Sequence, residues 1–202
     1  MTETTENKRN RLVFATNNQH KLKEIREILS GKFEVLGLKD IGFFDDIEES
    51  GTTLNENASI KSRTIHNKFN IDVFADDTGL EVKILDNKPG VYSARYAGED
   101  GDSEANIKKL LIELEGKENR TARFRTVISL IINNKEYLFE GIVYGSISRS
   151  KHGSEGFGYD PVFFPKGYNK SFAQMTSEEK NKISHRAKAM AKLIDFLNKG
   201  NY

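Results

Sequence analysis

Four segments in this chain carry dense polar chemistry at the ends of apolar runs, and a fifth cluster leads into the last helix. Thr16-Asn17-Asn18-Gln19-His20-Lys21 follows the run Leu12–Ala15 and opens a helical pattern. Free backbone N–H groups at a helix N-terminus bind anions, and Lys21 would add a point charge for phosphate. An ordinary loop with Asn18 as the helix cap is the plainer alternative. Glu48-Glu49 precedes Ser50-Gly51, and Asp76-Asp77 follows Val73-Phe74-Ala75. Hard cations such as Mg²⁺ take oxygen ligands, and one or two carboxylates plus substrate phosphates suffice. A carboxylate beside such an ion can also take a proton from attacking water. Solvated loop-start acids are the alternative for both pairs. The Asp pair is the sharper one, because the apolar run is expected to end there, before Thr78-Gly79.

Gly153-Ser154-Glu155-Gly156-Phe157-Gly158-Tyr159-Asp160-Pro161 combines glycines, which let backbone approach a ligand, with rings that can stack on a base. Its spacing is neither a P-loop nor a dinucleotide fingerprint, and a flexible loop ahead of the strand Val162-Phe163-Phe164 explains it equally well. Lys180 and Ser184-His185-Arg186 lead into a final helix, at the end where the helix dipole disfavours cations. An anion nearby would account for them, as would plain solvation.

The elements that must position these groups follow from periodicity. Leu12–Ala15, Phe33–Leu36 and Val73–Ala75 are short buried-strand patterns. Leu22, Ile25, Ile28 and Leu29 mark a helix over Lys21–Leu29, with Gly31 where it would stop. Thr53-x-x-Glu56 is a capping-box pattern opening a helix to about Lys68. Ile107, Leu110, Leu111 and Leu114 mark another helix, closed near Gly116. Ala122–Ile147 reads as a long hairpin around Asn133-Asn134, and Ile183, Ala187, Met190, Ile194 and Leu197 form one C-terminal helical stripe. Strand–helix units followed by a hairpin predict an α/β protein on a mixed sheet.

Composition sets outer limits. The 202 residues suit one domain, or one with two lobes; Met1–Asn10 reads as a disordered tail and 11–202 as that single domain. With no cysteine there is no disulfide scaffold, thiolate metal site or cysteine nucleophile. No apolar run reaches the roughly 18 residues of a membrane span, and the polar start is no signal peptide, so a cytoplasmic protein away from membranes is expected. Lys and Arg total 31 against 30 Asp and Glu, a net charge of +1. That balance argues against bulk nucleic-acid binding, which needs many uncompensated cations. A local cation cluster for one small polyanion remains compatible with it.

In order along the chain, Ala15-Thr16-Asn17-Asn18-Gln19-His20-Lys21, Gly51-Thr52-Thr53-Leu54-Asn55-Glu56-Asn57-Ala58 and Ala75-Asp76-Asp77-Thr78-Gly79-Leu80 resemble motifs of the Ham1-type nucleoside triphosphate pyrophosphatases. Pro89-Gly90-Val91-Tyr92-Ser93-Ala94-Arg95-Tyr96, Gly156-Phe157-Gly158-Tyr159-Asp160-Pro161 and Ser184-His185-Arg186 continue the resemblance, which spans about Leu12 to Leu197. It implies a two-lobed α/β fold on a long mixed sheet with flanking helices, an active-site cleft between the lobes, and usually a homodimer. The implied activity is Mg²⁺-dependent hydrolysis of ITP, dITP and XTP to the monophosphate and pyrophosphate. By the same resemblance Asp77 would be the base and a metal-linked carboxylate beside Asp76, and Glu49 or Glu48 would hold Mg²⁺. Thr16, Asn17, Asn18, Gln19, His20 and Lys21 would cradle the triphosphate, with Thr78 and Lys180 also at the substrate. Phe157, Gly158, Tyr159 and Asp160, with His185 and Arg186, would enclose the base. Two positions depart from the family pattern: Asn17 where glycine is frequent, and Gln174 where glutamate is common. Two other functions fit the same residues less well. One is a pyrophosphatase for another base, such as a modified pyrimidine. The other is a non-catalytic nucleotide or RNA binder, which would gain nothing from acidic residues facing phosphate.

Overall fold

Alternation of side chains along one long strand organises the molecule. In the computed structural model, which describes residues 10–31, 33–98 and 101–200, strand β3 (Val73–Val82) crosses the centre of a six-stranded sheet. Its neighbours are β1 (Asn10–Phe14), parallel to it, and β4 (Thr121–Ile132), antiparallel. β2 (Phe33–Leu36) lies outside β1, while β5 (Lys135–Ile147) and the short β6 (Phe163–Pro165) complete the order β2-β1-β3-β4-β5-β6. The sheet is mixed, as expected. Asn133 and Asn134, both at positive φ, make the tight turn between β4 and β5.

Where expectations differ from the fold, the reason is pairing or capping. β3 does not stop at Asp76-Asp77: its ladder with β4 runs unbroken from Val73↔Ile131 to Val82↔Ala122, so the acidic pair sits in mid-strand. Of the expected tail, residues 1–9 lie outside the described residues, and Asn10 already belongs to β1. Helix α1 (Gln19–Ile28) begins two residues early because the Asn18 side chain accepts from His20 N and Lys21 N. The C-terminal stripe is split in two. Ile183 ends α4 (Ser177–Ile183), and extended Ser184 caps α5 (His185–Lys199) by accepting from Ala187 N. Val162 lies in a 3-10 turn ahead of β6. Helix α2 (Leu54–Phe69) starts at the Thr53/Glu56 capping box, both halves of which are formed.

Period-two alternation then divides the contacts of β3. Val73 and Ala75 pack in a cluster with Ile65 of α2, whereas Phe74 packs with Leu22 and Ile25 of α1 and Met190 and Leu193 of α5. Past the acidic pair, Leu80 and Val82 enter a separate core with α3 (Ser103–Glu113), Phe124, Val143 and Phe163. The sheet thus carries a core on each face at the Val73 end of β3 and a separate core at the Val82 end, and a cleft of about 740 Å³ opens at Asp77 and Thr78 between them.

Glycine makes one of these contacts possible. A Cβ at Gly141 of β5 would lie 2.0 Å from His185 O and 2.5 Å from Ala189 N, so the first turn of α5 rests directly on strand backbone. Gly141→Ala is expected to push that turn off the sheet, at a cost of roughly 1–3 kcal/mol. Thermal denaturation should show a melting temperature lower by about 2–4 °C for each kcal/mol. An unchanged melting temperature would mean that α5 yields without strain.

Candidate functional site

The cleft is built from loop ends of β1 and α1, the middle of β3, the Gly90–Arg95 turn, the Phe157 loop and the starts of the last two helices. Thr16 to Lys21 line it, as do Glu49, Asp77, Thr78, Phe157, Gly158, Tyr159, Asp160, Lys180, His185 and Arg186. Glu48 is exposed and outside this lining, and Asp76 is buried behind it.

Most of the cations form one chain of alternating charge. Lys21 Nζ lies 2.9 Å from Asp76 Oδ1, and Arg186 Nε lies 3.2 Å from Asp76 Oδ2. Thr78 Oγ1 donates to that same Oδ2 at 3.1 Å and meets the Thr126 hydroxyl at 2.7 Å. Beyond Asp76, Arg186 Nη1 pairs with Glu24 Oε2. Glu24 Oε1 and Asp160 Oδ2 both lie 2.7 Å from Lys180 Nζ, and Asp160 also accepts from Phe157 N at 2.9 Å. Three cations therefore meet three carboxylates. The anion required by cations at the start of α5 is thereby identified: it is Glu24 and Asp76. Arg186 and Asp76 each have a side chain only 1% exposed, so neither charge has access to bulk water. Burial raises the Asp76 carboxyl's pKa, but Lys21, Arg186 and Lys61 outweigh it and hold the group well below the ordinary carboxylate value. Burial likewise opposes charging of Arg186 and Lys180, and their carboxylate partners reverse that effect.

Asp77 points to the other face of the sheet. Its Oδ1 lies 3.4 Å from Lys61 Nζ of α2, which also lies 2.7 Å from Glu49 Oε1. Asp77 Oδ2 is buried with no hydrogen-bond partner. Burial is the main cause pushing the Asp77 carboxyl above its ordinary value, and Glu49 and Asp76 add to it against Lys61 and Lys21. The fold thus brings Glu49 together with Asp77. It does not bring Asp76 or Glu48 to them: Asp76 is occupied by the charge chain on the opposite face.

The aromatic end of the cleft is formed by Phe157, whose ring stacks on His20 at 5.2 Å, with Lys180 Nζ 5.0 Å from its centroid. Tyr159 is buried and donates through Oη to Ser93 O at 3.0 Å. It therefore anchors the loop from the cleft wall, while the half-buried Phe157 ring lines the same cleft. At α1, two N-terminal amides are taken by Asn18, so the plainer cap and a place at the cleft hold together for this residue. Thr16 Oγ1 accepts from Asn18 N at 3.1 Å.

His185 stacks on Phe124 at 4.6 Å, and its Nδ1 is buried without a partner. Burial, with Arg186 and Lys180 adding to it, drives its pKa well below the ordinary 6.5, so the folded imidazole is neutral. In the unfolded chain it protonates near 6.5. Stability is thus fully present above that pH and falls below it, by up to about 1.4 kcal/mol per pH unit for this one group. His185→Phe should flatten the loss of stability between pH 6.5 and 5, measured by denaturant unfolding. An unaltered slope would contradict the assignment.

Lys61 and Glu24 were not among the residues picked out by motif. Each carries a positional signal. Lys61 falls on the buried stripe of α2 with Leu54, Ala58 and Ile65, where a lysine needs a charged partner. Glu24 lies one helical turn beyond Lys21 on α1.

A profile of the Ham1 family matches residues 12–196. The chain belongs to the Ham1 family. It is 54% identical over 188 residues to a Porphyromonas gingivalis protein named dITP/XTP pyrophosphatase, covering 93% of this chain and 97% of that one. A Bacillus subtilis protein of the same name is 49% identical over 189 residues, covering 92% and 96%. The Staphylococcus aureus Ham1 protein superposes with a TM-score of 0.85 at 42% identity, covering 95% of this chain and 100% of that one. Within this Ham1 chain the two departures have local uses. Asn17 Nδ2 donates to Asp46 Oδ1 at 3.0 Å, tying the α1 loop to the segment before Glu49. Gln174 Oε1 accepts from Ser171 N at 2.9 Å, completing a capping box that glutamate or glutamine can serve.

Proposed function

We propose that this chain hydrolyses deaminated purine nucleoside triphosphates (dITP, ITP and XTP) at the bond between the α- and β-phosphates, releasing the monophosphate and pyrophosphate. The observation that carries the reading is one cleft in which the Glu49–Lys61–Asp77 cluster stands apart from the Phe157 pocket and its cations. A polyphosphate and a base need those two environments side by side.

The residues suit Mg²⁺. Among the described residues no three acidic or histidine side chains converge on one point. Glu49 and Asp77 do supply two hard oxygen donors, and Asp77 Oδ2 is buried and unpartnered. An ion that completes its shell with phosphate oxygens and water needs no more. Glu49 and Asp77 would hold it, and when bound it would neutralise charge on the phosphates. Asp76 serves instead to fix Lys21 and Arg186. Asp77 takes the proton of the attacking water as the phosphoanhydride bond breaks and pyrophosphate leaves. A carboxylate held within hydrogen-bond reach of that water can serve as the acceptor. Lys21 and Lys61 meet the phosphates, with Thr16–His20 and Thr78 around them. Phe157 stacks on the base, and Gly158 lets the loop backbone approach it. Lys180 and Arg186 carry only donors. They favour a purine with an oxygen at position 6 over one with an amino group there, aided by Asp160 and neutral His185. We further propose that the enzyme acts as a homodimer on the cytoplasmic nucleotide pool, with light scattering as the test of its mass in solution.

Pyrophosphate release should be measured with dITP, ITP, XTP, GTP and ATP, each with and without Mg²⁺. The deaminated substrates are expected to exceed ATP by about 100-fold or more in kcat/KM, since a site built for one hydrogen-bond pattern leaves groups unpaired with another. Removal of Mg²⁺ should abolish turnover. Equal turnover of ATP and ITP would refute the base assignment, and nucleotide binding without pyrophosphate release would refute the hydrolase.

A further inference from the structure

We propose that in the nucleotide-free protein the Lys61 ammonium keeps the place of a divalent cation between Glu49 and Asp77, and gives it up only when a triphosphate arrives to receive it. Metal and nucleotide then bind as a coupled pair, with Lys61 as the positioning residue that couples them. The assignment depends on Glu49 and Asp77 being the Mg²⁺-holding pair proposed above.

Lys61 is the cation nearest both carboxylates, 2.7 Å from Glu49 Oε1 and 3.4 Å from Asp77 Oδ1. Its side chain is 9% exposed, because the capping box at Thr53 and the apolar stripe of α2 turn this residue toward the sheet. Without a cation here, Asp77 would sit buried beside a second carboxylate, an arrangement that costs several kcal/mol per uncompensated ion. One ammonium against two carboxylates still leaves a negative charge over, and Asp77 Oδ2 is left with no partner. The site therefore has capacity for a dication but is held by a monocation. Both cannot occupy it, since like charges at this separation repel strongly away from bulk water.

Lysine is suited to such an exchange. Its compact charge rides on a flexible four-carbon stem, so the ammonium can change partners while the helix stays fixed, which a planar arginine fork does less readily. Lys61 lines the cleft, so a polyphosphate bound there offers it new oxygen partners. By linkage, whatever nucleotide does for metal affinity, metal does equally for nucleotide affinity.

The test uses Mn²⁺ as a paramagnetic probe, with free ion counted by electron paramagnetic resonance. Wild type, Lys61→Gln and Lys61→Met are compared with and without a non-hydrolysable dITP analogue. Wild type should bind Mn²⁺ about tenfold or more tightly once the analogue is present. Both variants should bind Mn²⁺ alone about tenfold more tightly than wild type does, and the factor by which analogue tightens Mn²⁺ should fall by the same amount, leaving the share that phosphate oxygens supply as metal ligands. Variant affinities equal to or weaker than wild type, while wild type with analogue still binds Mn²⁺, would overturn the role of Lys61 and leave the metal pair standing. No Mn²⁺ on wild type even with analogue would overturn the metal pair, and Lys61's role with it. If the variants do not fold, the ¹⁵Nζ resonance of Lys61 in wild type decides. It should shift when Mg²⁺ and analogue are added together and stay in place with Mg²⁺ alone. A shift with Mg²⁺ alone, or none at all, overturns the proposal.

Discussion

Asp77→Asn should lower kcat for dITP by about 100-fold or more, the usual cost of losing a positioned general base. The substitution keeps shape and removes charge, so it separates chemistry from packing. Stability should move the opposite way. Asp77 is buried and its pKa is raised on folding, which means its ionised form opposes folding at neutral pH. Lys61 would still have Glu49, and the cluster of one cation and two anions would become one of each. The melting temperature should therefore be unchanged or higher, with the rate sharply lower, as is common where a strained site serves function. Stopped assays of pyrophosphate release and a thermal melt on the same sample provide both readings. Wild-type kcat would move the base role to another group, and a large fall in melting temperature would make Asp77 structural.

Arg186→Met should give the largest loss of stability. The guanidinium binds Glu24, Asp76 and the Thr78 hydroxyl, and no water-exposed route relieves those partners once it is gone. Breaking a buried ion pair from one side costs about 3–5 kcal/mol; Asp76 keeps Lys21 and Glu24 keeps Lys180, but three carboxylates are then left to share two cations away from water. At about 2–4 °C per kcal/mol, the melting temperature should fall by roughly 6–20 °C. The double variant Glu24→Gln/Arg186→Met restores balance at Glu24's end. It should recover part of the loss and show a coupling energy of about 0.5–3 kcal/mol in a double-mutant cycle. A fall of no more than a degree or two in the single variant would mean that the charge chain contributes little to folding.

Local signals in the sequence were dependable where the partner was local. The Thr53/Glu56 capping box and the Asn133-Asn134 turn lie within a few residues of what they contact, and the stripes of α1 and α3 are read from spacing within one helix although their partners are distant. The cleft residues near Lys21, Phe157 and His185 were legible as polar clusters at the ends of apolar runs. Three features were not. β3 continues through Asp76-Asp77 because an entire strand from later in the chain pairs with it, and propensity yields to such tertiary pairing. Glu24 meets Arg186 across 162 residues, a separation at which no periodicity survives. Asp76 and Asp77 look alike in sequence, and only the pleat shows that one locks a charge chain while the other faces Lys61.

That pleat has a consequence for how the chain tolerates change in length. Because neighbouring side chains on β3 go to opposite faces, a shift of one residue against β4 would turn each carboxylate to the face that the other now occupies. A single codon gained or lost between Val73 and Asp76 would therefore scramble both jobs at once, whereas an added residue at Asn133-Asn134, beyond the last paired rung, would disturb neither. The β3–β4 ladder works as a ruler for this site, and its graduations are single residues.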